Sequence, residues 1–187
     1  SSQRDLANKV LSIDCQQLNN EINQEEITFI FSIGRCGSTL LSKVLGTLGM
    51  LEVSECDVFS LTRNQLLINS TISIFQNYSY NCNGNISFKF RSHVGANVKF
   101  YIEKFPNSKF IFLYREKSAW AKSCSSKFNH NVDVLKRNYN IGYDCLFKLI
   151  ESDVNLTIVS YENLINDYSI FSKSDTDLEK IKKVMSQ

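Results

Sequence analysis

Apolar residues arrive along this chain in two rhythms. Short continuous runs rich in Ile, Phe and Val occupy 27–33, 86–90, 109–114 and 154–161. Runs of that length, bounded by polar or turn-forming residues, predict strands buried on both faces. Between them, 38–48, 61–75, 96–105, 118–128 and 132–150 carry apolar residues at helical spacing. Strands that alternate with helices need crossover connections, so the pattern predicts the α/β class: a three-layer α/β/α domain around a central parallel sheet. Ligands of such sheets sit beyond the carboxyl ends of the strands. Leu6, Val10, Ile13 and Leu18 form an apolar stripe suited to an N-terminal helix, and Leu178, Ile181 and Met185 form another near the end. Both read as packing elements. The stretch 77–85 (NYSYNCNGN) is polar and reads as a loop.

Composition narrows this picture without naming a function. A chain of 187 residues, 43% hydrophobic and 21% charged, with one proline and seven glycines, suits a single continuous domain without a linker. Its 21 Lys+Arg against 19 Asp+Glu give a net charge of +2, which is no general footprint for nucleic acid or an anionic membrane. Basic residues that matter must act locally. No run approaches the roughly 20 apolar residues of a membrane span, and the opening SSQRDLANKV lacks the regions of a signal peptide. A cytoplasmic location is expected. Sequons beginning at Asn69, Asn77, Asn85 and Asn155 make a secretory-pathway lumen the alternative. The six cysteines show no CxxC and no Cys/His cluster, so free thiols are expected, with no zinc site.

The densest chemistry lies in TFIFSIGRCGSTLLSKVL, from Thr28 to Leu45. A strand entering a helix through Gly34 and Gly37 points backbone N–H groups and the positive end of the helix dipole at one spot. That spot suits an anion, and Arg35, Ser38 and Thr39 add a charge and two hydroxyls. A tight turn capped by Ser38 would explain the serine and the glycines, but not the arginine. The ATP-type loop G-x-x-x-x-G-K-[ST] fits poorly, because Ser32 takes its first glycine and Ser38 its lysine. A phosphatase loop with Cys36 as nucleophile needs an arginine six positions later, where Ser42 stands.

The order Arg35-Cys36-Gly37-Ser38-Thr39-Leu40 resembles the 5′-phosphosulfate loop of the sulfotransferases that use 3′-phosphoadenosine-5′-phosphosulfate (PAPS). Farther on, Arg115 ends a strand and Ser123 follows eight positions later, resembling that family's 3′-phosphate motif. Arg91-Ser92-His93 resembles the Lys-Thr-His segment of its cytosolic members, and 159–164 (VSYENL) resembles a late Tyr-Glu-Asp-Leu segment, read as structural. The similarity runs from about 27 to 167.

The resemblance implies a P-loop-like sulfotransferase fold and a donor site. Arg35 through Leu40 would hold the 5′-phosphosulfate, and Arg115 and Ser123 the 3′-phosphate. Arg91 would stabilise the leaving oxygen while His93 takes the acceptor proton; Glu55, twenty positions after Arg35, is the rival base, as in tyrosylprotein sulfotransferases. PAPS is then the donor and 3′-phosphoadenosine-5′-phosphate (PAP) the product, with no metal required. The acceptor would be a hydroxyl or amine on a small molecule, carrier or carbohydrate. Trp120, near this site, fits a core position at least as well as a base-stacking one and is left out of the site. Two departures follow. Leu40 replaces the aromatic residue of the cytosolic enzymes, and the family's domain normally continues past the last position of this sequence, so a compact or shortened member is expected. The alternatives are a non-catalytic PAP/PAPS-binding module and a kinase-like P-loop phosphotransferase.

Overall fold

The computed structural model describes residue 14 and residues 21–79, 84–128, 132–167, 169–172 and 174–185. The stripe of Leu6, Val10, Ile13 and Leu18 lies outside them, as does the middle of the 77–85 loop.

The most apolar run forms the centre of the molecule. Strand β1 (Ile27–Ser32) is buried along its whole length and leads through a short loop into helix α1 (Ser38–Thr47). Strand β2 (Leu51–Ser54) and the short α2 (Asp57–Leu61) follow, then α3 (Gln65–Ser79) and β3 (Ile86–Lys89). A 3₁₀ segment at Ser92–Asn97 precedes α4 (Val98–Lys104), β4 (Lys109–Tyr114), α5 (Lys117–Phe128) and α6 (Val132–Ile150). Strand β5 (Asn155–Ser160), α7 (Tyr161–Asn166) and α8 (Asp175–Met185) complete the described chain. The strands form one sheet in the order β2-β3-β1-β4-β5, and every pairing is parallel. This is the expected three-layer α/β/α architecture.

The central position of β1 follows from its sequence: six successive buried residues require neighbours on both edges and cover on both faces. Phe29 sits among Phe88, Phe90, Tyr101, Phe105 and Phe110 with ring centroids 5.3–5.9 Å apart. Aromatic pairs at such distances add about 0.5–1.5 kcal/mol each beyond burial. Two glycines let α6 approach closely: a Cβ on Gly142 would lie 2.3 Å from Ile33 Cγ2, and one on Gly95 would lie 3.2 Å from Cys145 Cβ. The end of β1 and the segment after β3 are thereby clamped beneath one helix.

Several boundaries differ from the sequence reading. Strand β2 was not expected. At an edge of the sheet, with Glu52 and Ser54 exposed, it has too few apolar residues to stand out. The helix expected over 61–75 is α3, which begins at Gln65 and runs on to Ser79, while Leu61 ends the separate α2. Strand β5 is the other edge, and most of it is exposed or half-buried rather than enclosed. The stripe of Leu178, Ile181 and Met185 does form a helix, with Ile181 fully buried. Cys36, Cys56, Cys124 and Cys145 are free thiols. Among the described residues, no helix is long and apolar enough to cross a membrane.

Candidate phosphate-binding cleft

The chain leaves β1 to build β2 and β3 on one side and later returns to build β4 and β5 on the other. A crevice therefore opens above the carboxyl end of β1, between β3 and β4. A cleft of about 720 Å³ occupies this place. Arg35, Gly37, Ser38, Thr39, Leu40, Glu55, Arg91, His93, Arg115 and Ser123 all line it. Of the residues singled out in the sequence, only Cys36 does not.

The loop after β1 has the backbone that an anion cradle requires. Gly34, Arg35 and Gly37 have φ of 77°, 53° and 85°. An arginine in the left-handed region is strained, and such strain persists where the surroundings hold it. Gly37 is the N-cap of α1 and offers no side-chain cap, so Ser38 does not cap the helix as a plain turn would have it. Gly37 is further required by packing: a Cβ there would sit 2.7 Å from Tyr161 Cδ2. The Trp120 indole Nε1 donates to the Gly34 carbonyl at 2.9 Å and fixes the loop from α5.

Cys36 turns inward. Its thiol is fully buried and donates to the Leu113 carbonyl at 3.4 Å, and burial pushes its pKa up to about 11. It contributes backbone to the loop, not a side chain to the cleft. Such a thiol is a poor nucleophile at neutral pH.

On the β2–β3 side, charges are paired in a chain. The Lys89 ammonium donates to Glu55 Oε1, Arg91 Nε lies 3.5 Å from Glu55 Oε2, and Arg91 Nη2 lies 3.1 Å from Asp57 Oδ1. The hydrogen bond from Lys89 leads in holding the Glu55 carboxyl below the ordinary carboxylate range, with Arg91 assisting. Glu55 also has a left-handed backbone, φ 55°, and its N–H donates to the Lys89 carbonyl at 2.8 Å. His93, on the 3₁₀ segment, is exposed to the cleft.

On the β4–β5 side, Arg115 follows β4 directly, and its guanidinium lies over the Tyr161 ring, 4.2 Å from the centroid. Its Nε is buried without a hydrogen-bond partner, and the nearest carboxylate oxygen, Glu162 Oε1, is 3.9 Å away. Ser123 and Cys124 reach the same wall from α5. Glu116 caps that helix: it accepts from the Ser118 hydroxyl and from the N–H groups of Ser118 and Ala119, each N–H at 2.9 Å, and these bonds, the hydroxyl first, pull its pKa down to about 2. Burial raises the Cys124 thiol pKa while the charge of Arg35 opposes that shift, so the loop arginine is felt on this wall.

Lining residues that were not selected from sequence include Lys89, Trp120, Asn138 and Tyr161. Trp120 is buried, its ring tilted against Tyr139 at 5.1 Å, and its indole N–H also supports the loop. The 159–164 segment, read as structural, packs against the site: Tyr161 underlies Arg115, abuts Gly37 and lines the cleft. Lys89 carried a usable signal, a lone charge in the apolar run ISFKF.

A scan against protein-family models finds no match, and neither does a search of curated proteins. Among solved structures, the chain is similar to the YorR protein of Bacillus subtilis, solved in complex with phosphorylated GDP: 11% identity, 86% of this chain and 94% of that one, TM-score 0.49. It is similar also to the shikimate kinase of Bacteroides thetaiotaomicron (13% identity, 86% and 96% covered, TM-score 0.39). A third is the dephospho-CoA kinase of Campylobacter jejuni (13%, 88% and 97%, TM-score 0.37). At such scores these likenesses assign neither ligand nor reaction.

Proposed function

We propose that this chain is a P-loop group transferase that holds a phosphorylated nucleotide at two separate anchors, and that its donor is PAPS. The observation that carries the reading is the buried Arg115 Nε without an acceptor, in the same cleft as a left-handed glycine loop at a helix N-terminus. Buried donors are almost always hydrogen-bonded, and a phosphate oxygen would satisfy this one. The lining also holds four cations, Arg35, Lys89, Arg91 and Arg115, against one carboxylate, Glu55. That balance suits a ligand with several negative charges.

When bound, the donor supplies a sulfuryl group that leaves its 5′-phosphate as the S–O bond breaks. The residues of the chain position and neutralise. The loop N–H groups and Arg35 receive the 5′ end, and Arg115 with Ser123 receives the 3′-phosphate. His93 takes the proton of the acceptor hydroxyl or amine, a task suited to imidazole near neutral pH. Glu55 is the weaker base, since its carboxylate is stabilised by Lys89 and Arg91. Arg91 reaches the leaving oxygen by exchanging its carboxylate partners for the donor.

The test is a cycle of two ligands and two proteins. PAP should bind the wild-type chain more tightly than AMP, and Arg115→Ala should remove that difference while leaving AMP affinity nearly unchanged. An undiminished preference for PAP in the variant contradicts the assignment.

A second reading, a kinase-like phosphotransferase, is favoured by Lys89. This lysine lines the cleft on the strand beside β1 and offers the ammonium that ATP-type loops carry where Ser38 stands here. Mg²⁺-dependent ATP binding indifferent to a 3′-phosphate would select it.

A further inference from the structure

Lys89 is a charged residue in a place built for apolar ones. It ends β3, is 6% exposed, and stands between the buried Phe88 and Phe90. Burying an ammonium is costly unless partners compensate, so its retention here calls for a role. The only partner of its ammonium among the described residues is Glu55. An ammonium has three donors, and the remaining groups that share its cleft are chiefly arginines, backbone N–H groups and hydroxyls.

Its position relative to the loop is fixed by the sheet. Strand β3 pairs directly with β1, Lys89 in register with Ile30, and the Phe90 N–H donates to the Ile30 carbonyl at 3.0 Å. Just beyond, Ser92 Cβ and Oγ lie 3.4 Å from where a Cβ on Gly34 would be, so the chain leaving β3 touches the loop itself. Glu55 holds Lys89 through side chain and backbone together, because its own N–H donates to the Lys89 carbonyl. The ammonium is therefore anchored on one side by a carboxylate and borne on a strand that runs alongside the loop.

We propose that Lys89 supplies from β3 the ammonium that the phosphate loop lacks, and that it binds the same anion the loop binds. The proposal rests on the reading of the loop as an anion site and holds for either donor. Glu55 is then a positioning residue for Lys89, which accounts for its ion pair and its left-handed backbone together. Arg115 and Ser123 serve the other end of the ligand and are independent of it.

The experiment is calorimetric titration of the wild-type chain, Lys89→Met and Lys89→Arg with inorganic pyrophosphate, PAP, AMP and 3′-AMP, with thermal melting to verify folding. In Lys89→Met, affinity for pyrophosphate and AMP should fall by about tenfold or more, the usual range for a hydrogen bond to a charged group. Affinity for 3′-AMP should hold, and Lys89→Arg should recover part of the loss. Equal loss for AMP and 3′-AMP would mean that Lys89 merely supports the fold, and unchanged pyrophosphate binding would mean that it does not touch the anion; either overturns the proposal. If the wild-type chain binds pyrophosphate through Lys89 but shows no preference for PAP over AMP, the proposal stands and the PAPS reading fails. If the wild-type chain binds none of the four, both fall.

Discussion

The two walls of the cleft handle charge in opposite ways. On the β2–β3 wall, Lys89, Glu55, Arg91 and Asp57 neutralise one another in sequence. On the β4–β5 wall, Arg115 lies on the Tyr161 ring, with a buried Nε that no acceptor meets and a carboxylate no closer than 3.9 Å. The first wall is organised by its own ion pairs, and a ligand must compete with or add to them. The second keeps a buried donor without a hydrogen-bond partner, on a residue that lines the cleft. On the proposed function, recognition falls chiefly to the Arg115 wall and charge placement near the loop to the Lys89 wall.

The loop between the walls is the place where this comparison breaks most completely. Gly37→Ala forces a side chain into a left-handed backbone and against Tyr161. A loss of about 3 kcal/mol in unfolding free energy is expected, together with loss of anion binding, measured by denaturant titration and calorimetry. Next comes the Arg115 wall. Arg115→Ala should weaken PAP about tenfold to a hundredfold while the melting temperature changes little.

Trp120→Phe should be milder. It keeps most of the ring contact with Tyr139 but removes the hydrogen bond to Gly34, costing about 1 kcal/mol of stability and loosening the loop, visible as faster amide exchange at 34–37. The smallest effect belongs to the paired wall. Because the folded pKa of Glu55 is depressed, its contribution is present above the ordinary carboxylate range and is lost as pH falls through the folded value. Glu55→Gln should therefore narrow the stability difference between neutral pH and pH below about 4, measured by thermal melts across pH.

Much of this arrangement could be read from the chain before its fold was known. The loop was legible because its chemistry is local: Gly34, Arg35, Gly37, Ser38 and Thr39 fall within six successive positions, and β1 ahead of them is mostly apolar and buried throughout. Arg115 and Ser123, a strand end and a point about two helical turns later, were selected through the resemblance of that spacing to the sulfotransferase 3′-phosphate motif. That they share a cleft with the loop is a consequence of β1 lying beside β4. Lys89 and Tyr161 were not selected because their significance is tertiary. The lone lysine within the apolar run 86–90 has no evident partner or task until β3 is known to lie beside β1, and Tyr161 reads as packing until β5 brings α7 to the loop. Strand β2 escaped notice because an edge strand with alternate residues exposed leaves almost no apolar run.

The central claim is that one ligand bridges the loop and the Arg115 wall. It is tested most directly by calorimetric titration of the chain with PAP, beside AMP and Mg²⁺-ATP. The account predicts that PAP binds tightest and that its 3′-phosphate accounts for the difference. Tighter binding of Mg²⁺-ATP, with PAP no better than AMP, would contradict it.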